Sequence, residues 1–136
     1  MWTSRAAFWF LIVALTLPAL SAFATEPVSP DAWIGTWEGR WKKDFRGFTI
    51  IIHKVEGDGV LATYKWEGDP KDRPSGHPLG GEAEISGTVV SDKAIKLIVR
   101  KTDDLAILIE KGEDGIFSAK WLTRGKPTNY ADLKKK

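Results

Sequence analysis

The sequence predicts an all-β protein: an antiparallel up-and-down meander of seven to eight strands closing into a small barrel, behind an N-terminal signal peptide. Three observations carry this. After the leader, apolar and polar residues alternate in short runs, as in Val60-Leu61-Ala62-Thr63-Tyr64-Lys65-Trp66, the period-two pattern of half-buried strands. Turn sequences such as Glu56-Gly57-Asp58-Gly59 and Gly112-Glu113-Asp114-Gly115 separate these runs. No long segment repeats near the helical period of about 3.6 residues. Short connections make consecutive strands antiparallel neighbours, and a meander hides its edges by closing on itself. An open twisted sheet or a two-sheet clam is the alternative.

Residues 1–24 read as a cleavable leader. Arg5 supplies the positive start and Phe8 to Leu17 the apolar stretch. Ser21-Ala22-Phe23-Ala24 has the small-x-small pattern of a signal peptidase site, which places cleavage after Ala24 and the product in the periplasm or outside the cell. The apolar run is well short of the ~20 residues that span a bilayer, so no stable membrane insertion is expected after removal. Of 136 residues, 112 then remain, enough for one domain. There is no cysteine, so packing and hydrogen bonds must stabilise the fold without disulfides, and thiol catalysis is excluded. Without Arg5, 19 Lys and Arg face 18 Asp and Glu, a balance that argues against a general nucleic-acid binder.

Residues 25–32, with Pro27 and Pro30, form an extended lead-in. The barrel is expected over 33–124. Its first strand runs from about Trp33 to Lys42. Trp33, Trp37 and Trp41 share one face there with Gly35 and Gly39, and three indoles are too many for the interior of so small a barrel. The second strand, Gly47 to Val55, turns Phe48, Ile50 and Ile52 one way and Thr49, Ile51, His53 and Val55 the other. The third, Val60 to Glu67, turns Val60, Ala62, Tyr64 and Trp66 inward. The stretch Gly68 to Gly81 holds Pro70, Pro74 and Pro78 and belongs to neither helix nor ladder. Four more strands follow: Glu82 to Val90, Ala94 to Lys101, Leu105 to Lys111 and Ile116 to Arg124. Residues 125–136 read as a polar tail with a short helical turn at Tyr130 and Leu133, ending in frayed lysines. Seven strands leave the first and last pointing the same way. Closure therefore needs a parallel pair, an eighth strand from the tail, or a first strand split at its glycines; the split is favoured.

Gly35-Thr36-Trp37, opening the first strand after a secretion signal, resembles the Gly-x-Trp signature of the lipocalin and wider calycin barrels. The resemblance implies that Trp37 plugs the closed end of a lipocalin-like barrel. It further implies that a basic residue near the end of the last strand packs across the indole, for which Arg124, just after Trp121, is the matching residue. Such a pair is a cation on a π face. Gly35-x-Trp37-x-Gly39 together with Tyr64-x-Trp66 is also similar to small exported bacterial domains with a lipocalin-like barrel. The chain is shorter than a typical lipocalin and lacks a clear C-terminal helix and the family's common disulfides, departures that tell against a capacious cavity.

Candidate ligand contacts are Tyr64, Trp66, Trp121, Trp41 and His77: aromatic rings at a barrel mouth stack a sugar or hold a flat apolar ligand, though aromatics at strand spacing also build cores. His53 is expected to face outward. His77 with Asp69 and Asp72 matches no metal-ligand spacing, so no metal and no cofactor is expected. Glu82 and Glu84 share a solvent face, which offers nothing to separate their protonation as a catalytic pair requires. No catalytic residue is assigned. Three readings remain: a binding module for a small apolar or carbohydrate ligand, which the tryptophan excess favours; an interaction or structural domain with a filled barrel acting through its outer face, a strand edge or the 68–81 stretch; and an enzyme, in which replacing His77 or Asp72 would abolish turnover.

Overall fold

The structure, a computed structural model, describes residues 27–68 and 80–136. The leader with its cleavage site and residues 69–79, with Asp69, Asp72 and His77, lie outside the described residues. A four-residue helix, α1 (Pro30–Trp33), precedes eight strands: β1 (Gly35–Arg40), β2 (Gly47–Glu56), β3 (Gly59–Glu67), β4 (Gly80–Ser91), β5 (Ala94–Arg100), β6 (Leu105–Lys111), β7 (Phe117–Thr123) and β8 (Lys126–Lys135). They form a closed barrel in chain order, every neighbouring pair antiparallel.

The seam is closed by a strand within residues 125–136, which the sequence predicts as a polar tail. β8 pairs with β7 from Thr123↔Lys126 to Ser118↔Asp132, then with β1 through Gly39↔Leu133, Glu38↔Lys134 and Trp37↔Lys135. It alternates as an inner strand should, with Ala131 and Leu133 buried and Tyr130 and Asp132 exposed. The turn that launches it has only two residues, Arg124 and Gly125, both with positive φ (53° and 80°), the backbone sign of a type I′ hairpin. An eighth strand removes the need for a parallel pair or for a first strand split at its glycines. The C-terminal lysines are correspondingly held: Lys136 N–H donates to the Thr36 carbonyl at 2.9 Å, and Lys136 Nζ lies 2.8 Å from the Glu38 carboxylate.

The interior is solid through its middle. Ile50 and Ile52 of β2, Ile95 and Leu97 of β5, and Ile107 and Ile109 of β6 are buried at its centre, with Val60, Ala62 and Ala119 between them. In β2 the register slips between Ile52 and Lys54, which makes His53 the extra residue of a bulge. The slip turns Val55 onto the core side, not outward with His53 as strict alternation required. His53 stays exposed, its Nε2 2.7 Å from Thr63 Oγ1.

The three tryptophans of the opening segment are all buried, contrary to expectation, because they are spread along the barrel axis. Trp33 belongs to α1, not to β1. Pro30 at its first helical position follows Ser29 at the N-cap, and the helix ends before Gly35. The helix places Trp33 across the end of the barrel where β2 meets β3, β4 meets β5 and β6 meets β7. Val28 N–H ties the lead-in to that end by donating to the Asp92 carbonyl of the β4–β5 turn at 2.7 Å. Trp37 lies just inside, and Trp41 sits at the opposite end, about 13 Å along at strand rise.

Candidate functional site

The two ends of the barrel differ in chemistry. At the closed end, Trp37 packs against Phe117 (4.7 Å between ring centroids) and Trp33 (6.3 Å), and its indole Nε1 donates to the Trp33 carbonyl at 2.9 Å. The cation over this indole is Lys135, with Nζ 5.4 Å from the ring centroid. The Lys135 ammonium also donates to the Ala32 carbonyl at 2.7 Å, so one side chain covers the plug and caps α1. Arg124, the residue matched to this role in the sequence, sits in the β7–β8 turn at the other end of the barrel, where its backbone N–H donates to Asp104 at 3.0 Å. The correction follows from the strand count: with β8 present, the basic residue near the end of the last strand is Lys135.

The open end gathers four of the five predicted ligand contacts. Trp41, Tyr64, Trp66 and Trp121 line one cleft of about 480 Å³. The fifth, His77, lies outside the described residues. Each ring arrives for a local reason. Trp41 follows β1 and is fixed by its backbone N–H to the Arg46 carbonyl (2.9 Å), which closes the 41–46 loop. Its indole stacks on Phe48 at 4.3 Å and 21° and meets Trp121 edge-on at 5.8 Å. Gly39 makes this possible: a Cβ there would fall 2.6 Å from the Phe48 ring. Tyr64 and Trp66, two residues apart on β3, point to the same side and stack at 5.3 Å and 27°. Trp66 lies across its cross-strand partner Gly81, where a Cβ would meet Cζ2 at 2.6 Å.

Around the rings runs a polar rim that the sequence reading did not single out: Lys43, Asp44, Arg46, Glu67, Arg100, Thr128 and Asn129, with Val99 and Leu105 completing the wall. Its members are held by partners. Asn129 Oδ1 accepts from the backbone N–H of both Lys43 and Tyr130, each at 3.0 Å. Glu67 accepts from Gly47 N–H at 2.9 Å and lies 3.5 Å from Arg40. Arg46 Nε is 3.6 Å from Asp44, and Arg100 is bonded to Asp103 at 2.7 Å. Strand parity was the available signal. In a meander every second turn lies at one end, so the 41–46, 101–104 and 124–125 connections had to surround Trp41.

Tyr64 is the perturbed group of the cleft. Burial pushes its phenol above the ordinary value of 10.0, and the Asp44 charge adds to this, while the Trp41 indole N–H (3.4 Å) and Arg46 act the other way. A raised folded-state value in an acid means that its contribution to stability is present below the unfolded value and is lost as pH rises through the folded one. Tyr64→Phe is therefore expected to flatten the alkaline fall in stability. Urea midpoints of both proteins between about pH 9 and pH 11 check this, and equal slopes would rule out ionisation of Tyr64 as its cause.

Among the described residues no three metal-ligating side chains cluster, and no helix is long and apolar enough to cross a membrane. Glu82 and Glu84 are exposed on β4, Glu82 reaching Lys65 at 3.9 Å. In comparisons with known protein families, with curated proteins and with solved structures, the chain matched none.

Proposed function

We propose that the protein is an exported, non-catalytic binding module of lipocalin-like build that holds a small apolar or sugar-like ligand in its barrel mouth. One observation carries this reading. Four aromatic side chains from the end of β1, from β3 and from β7 converge on one cleft of about 480 Å³, within the roughly 300–1,000 Å³ of small-molecule sites. A filled barrel with no further role would need no such opening. The export half rests on the leader sequence and its small-x-small end. The lipocalin-like half is supported by the Gly-x-Trp motif together with a cation from the last strand over its indole.

Tryptophan fluorescence tests it, since Trp41, Trp66 and Trp121 all border the cleft. The mature chain is titrated with a flat apolar dye, a fatty acid and a panel of hexasaccharides. At least one is expected to shift the emission saturably. Trp121→Ala is expected to weaken that ligand by about tenfold or more, the loss of a ring being of order 1 kcal/mol beyond its area. Failure of the whole panel would remove the reading.

A further inference from the structure

Resting on the mouth-binding reading, we infer that the ligand is a neutral saccharide, one sugar ring lying flat on the Trp66 indole with its hydroxyls met by the rim around Asn129 and Glu67. Three features of the cleft select this chemistry.

The first is depth. The floor is sealed by Trp41, Phe48 and Tyr64, each at most 5% exposed, above a centre of fully buried aliphatic side chains. An acyl chain needs a channel down the barrel axis, and the packed isoleucines and leucine fill it. A ring needs only a platform. Trp66 provides one, 36% exposed and braced by Tyr64 on β3 and by the bare backbone of Gly81 on β4.

The second is the donor and acceptor balance. A sugar hydroxyl both donates and accepts, whereas a carboxylate or phosphate headgroup when ionised only accepts. The rim offers both kinds. Asn129 Oδ1 is taken by two backbone N–H groups, which leaves its NH₂ donors without a partner among the described residues. The Glu67 carboxylate is anchored through Oε2 to Gly47 N–H and Arg40, which leaves Oε1 to accept. Groups already fixed by the backbone lose little freedom on binding.

The third is charge. The guanidinium groups at the mouth stand beside carboxylates, Arg46 with Asp44 and Arg100 with Asp103. Among the described residues, Lys43, Arg46 and Arg100 stand among Asp44, Glu67 and Asp103, so no concentrated positive field is left there to draw an anion, and an acidic headgroup would meet Asp44 and Glu67.

Isothermal titration of the mature chain with cellohexaose, maltohexaose, mannohexaose and the hexamer of N-acetylglucosamine, against palmitate and 8-anilinonaphthalene-1-sulfonate, decides the matter. At least one neutral hexasaccharide is expected to bind, with affinity changing less than about twofold between roughly 0.05 and 0.5 M NaCl. Trp66→Ala is expected to weaken it about tenfold or more. Gly81→Ala, which crowds the indole without removing it, is expected to weaken it severalfold while thermal unfolding stays cooperative. Binding of palmitate or the dye with no response to any hexasaccharide would overturn the saccharide assignment and leave the mouth-binding reading standing. Silence from all six would remove both. Saccharide binding indifferent to Trp66→Ala would overturn the assigned platform.

Discussion

Trp37→Ala is expected to remove about 3–5 kcal/mol of folding stability, the range for deleting a large aromatic from a packed core. For a domain of this size that is a fall of roughly 12–20 °C in Tm. The indole is 2% exposed and lies where three independent elements meet: Trp33 from α1, Phe117 from the start of β7 and Lys135 from the end of β8. Alanine leaves a void that strands locked in a closed ladder cannot collapse to fill, and it leaves the buried Trp33 carbonyl without the donor it has at 2.9 Å. Trp37→Phe separates the two contributions. It keeps most of the volume and loses the hydrogen bond, so about 1–2 kcal/mol is expected. Urea unfolding of the three proteins checks the series. A Trp37→Ala loss below about 1 kcal/mol, within the reach of a surface change, would show that this ring is not the plug of the closed end.

Strand-by-strand, the barrel was legible wherever one face is apolar and the other polar. In β3 the buried Val60, Ala62 and Tyr64 alternate with the outward Leu61, Thr63 and Lys65. The same periodicity runs through β4 to β7, where Ile85, Ile95, Leu97, Ile107, Ile109 and Ala119 are buried at every second position of their strands. Two elements escaped it for physical reasons. β8 contributes only Ala131 and Leu133 to the core, among three lysines, a proline, Tyr130 and the polar Thr128, Asn129 and Asp132, so its weak pattern passes for a solvated tail. Its launching turn uses Arg124-Gly125 in place of the Asn-Gly or Asp-Gly that such hairpins favour. α1 was hidden because Trp33 is spaced from Trp37 and Trp41 as a strand residue would be. The Ser-Pro-Asp helix start just before it, with Pro30 at the first helical position, was the competing signal.

The mouth divides in the same way. Its rings were legible, since an aromatic at the end of an inward-facing run reaches either the core or the opening, and Trp121 does both. Its polar rim was not, because Lys43 and Asp44 come from a connection whose residues carry no period, and Asn129 from β8, whose alternation is weak. Only the parity of an eight-strand meander brings Asn129, 86 positions on, against the backbone of Lys43. Reading residues 125–136 as a tail thus misplaced the cation over Trp37 and hid Thr128 and Asn129 of the rim.

Deleting residues 126–136 is accordingly expected to abolish cooperative folding. The deletion strips β8 from both neighbours and exposes the edges of β1 and β7, each an unpaired row of backbone donors and acceptors that invites aggregation. It also uncovers the core against Ala131 and Leu133 and takes Lys135 off the plug. A shorter deletion discriminates more sharply between a frayed tail and a closing strand. Removing only Lys134 to Lys136 would be silent if these lysines were solvated. In the closed barrel it breaks the pairs Glu38↔Lys134 and Trp37↔Lys135, the backbone bond from Lys136 to Thr36, and the Lys135 bond to Ala32. With each such hydrogen bond contributing about 0.5–1.5 kcal/mol net, a loss of about 2–3 kcal/mol is expected. Amide exchange reads the outcome directly. In the full chain Lys136 N–H is protected by the Thr36 carbonyl of β1. Exchange of Lys136 at the rate of an unstructured peptide, with the shorter chain as stable as the full one, would place the seam of the barrel somewhere other than β1 and β8.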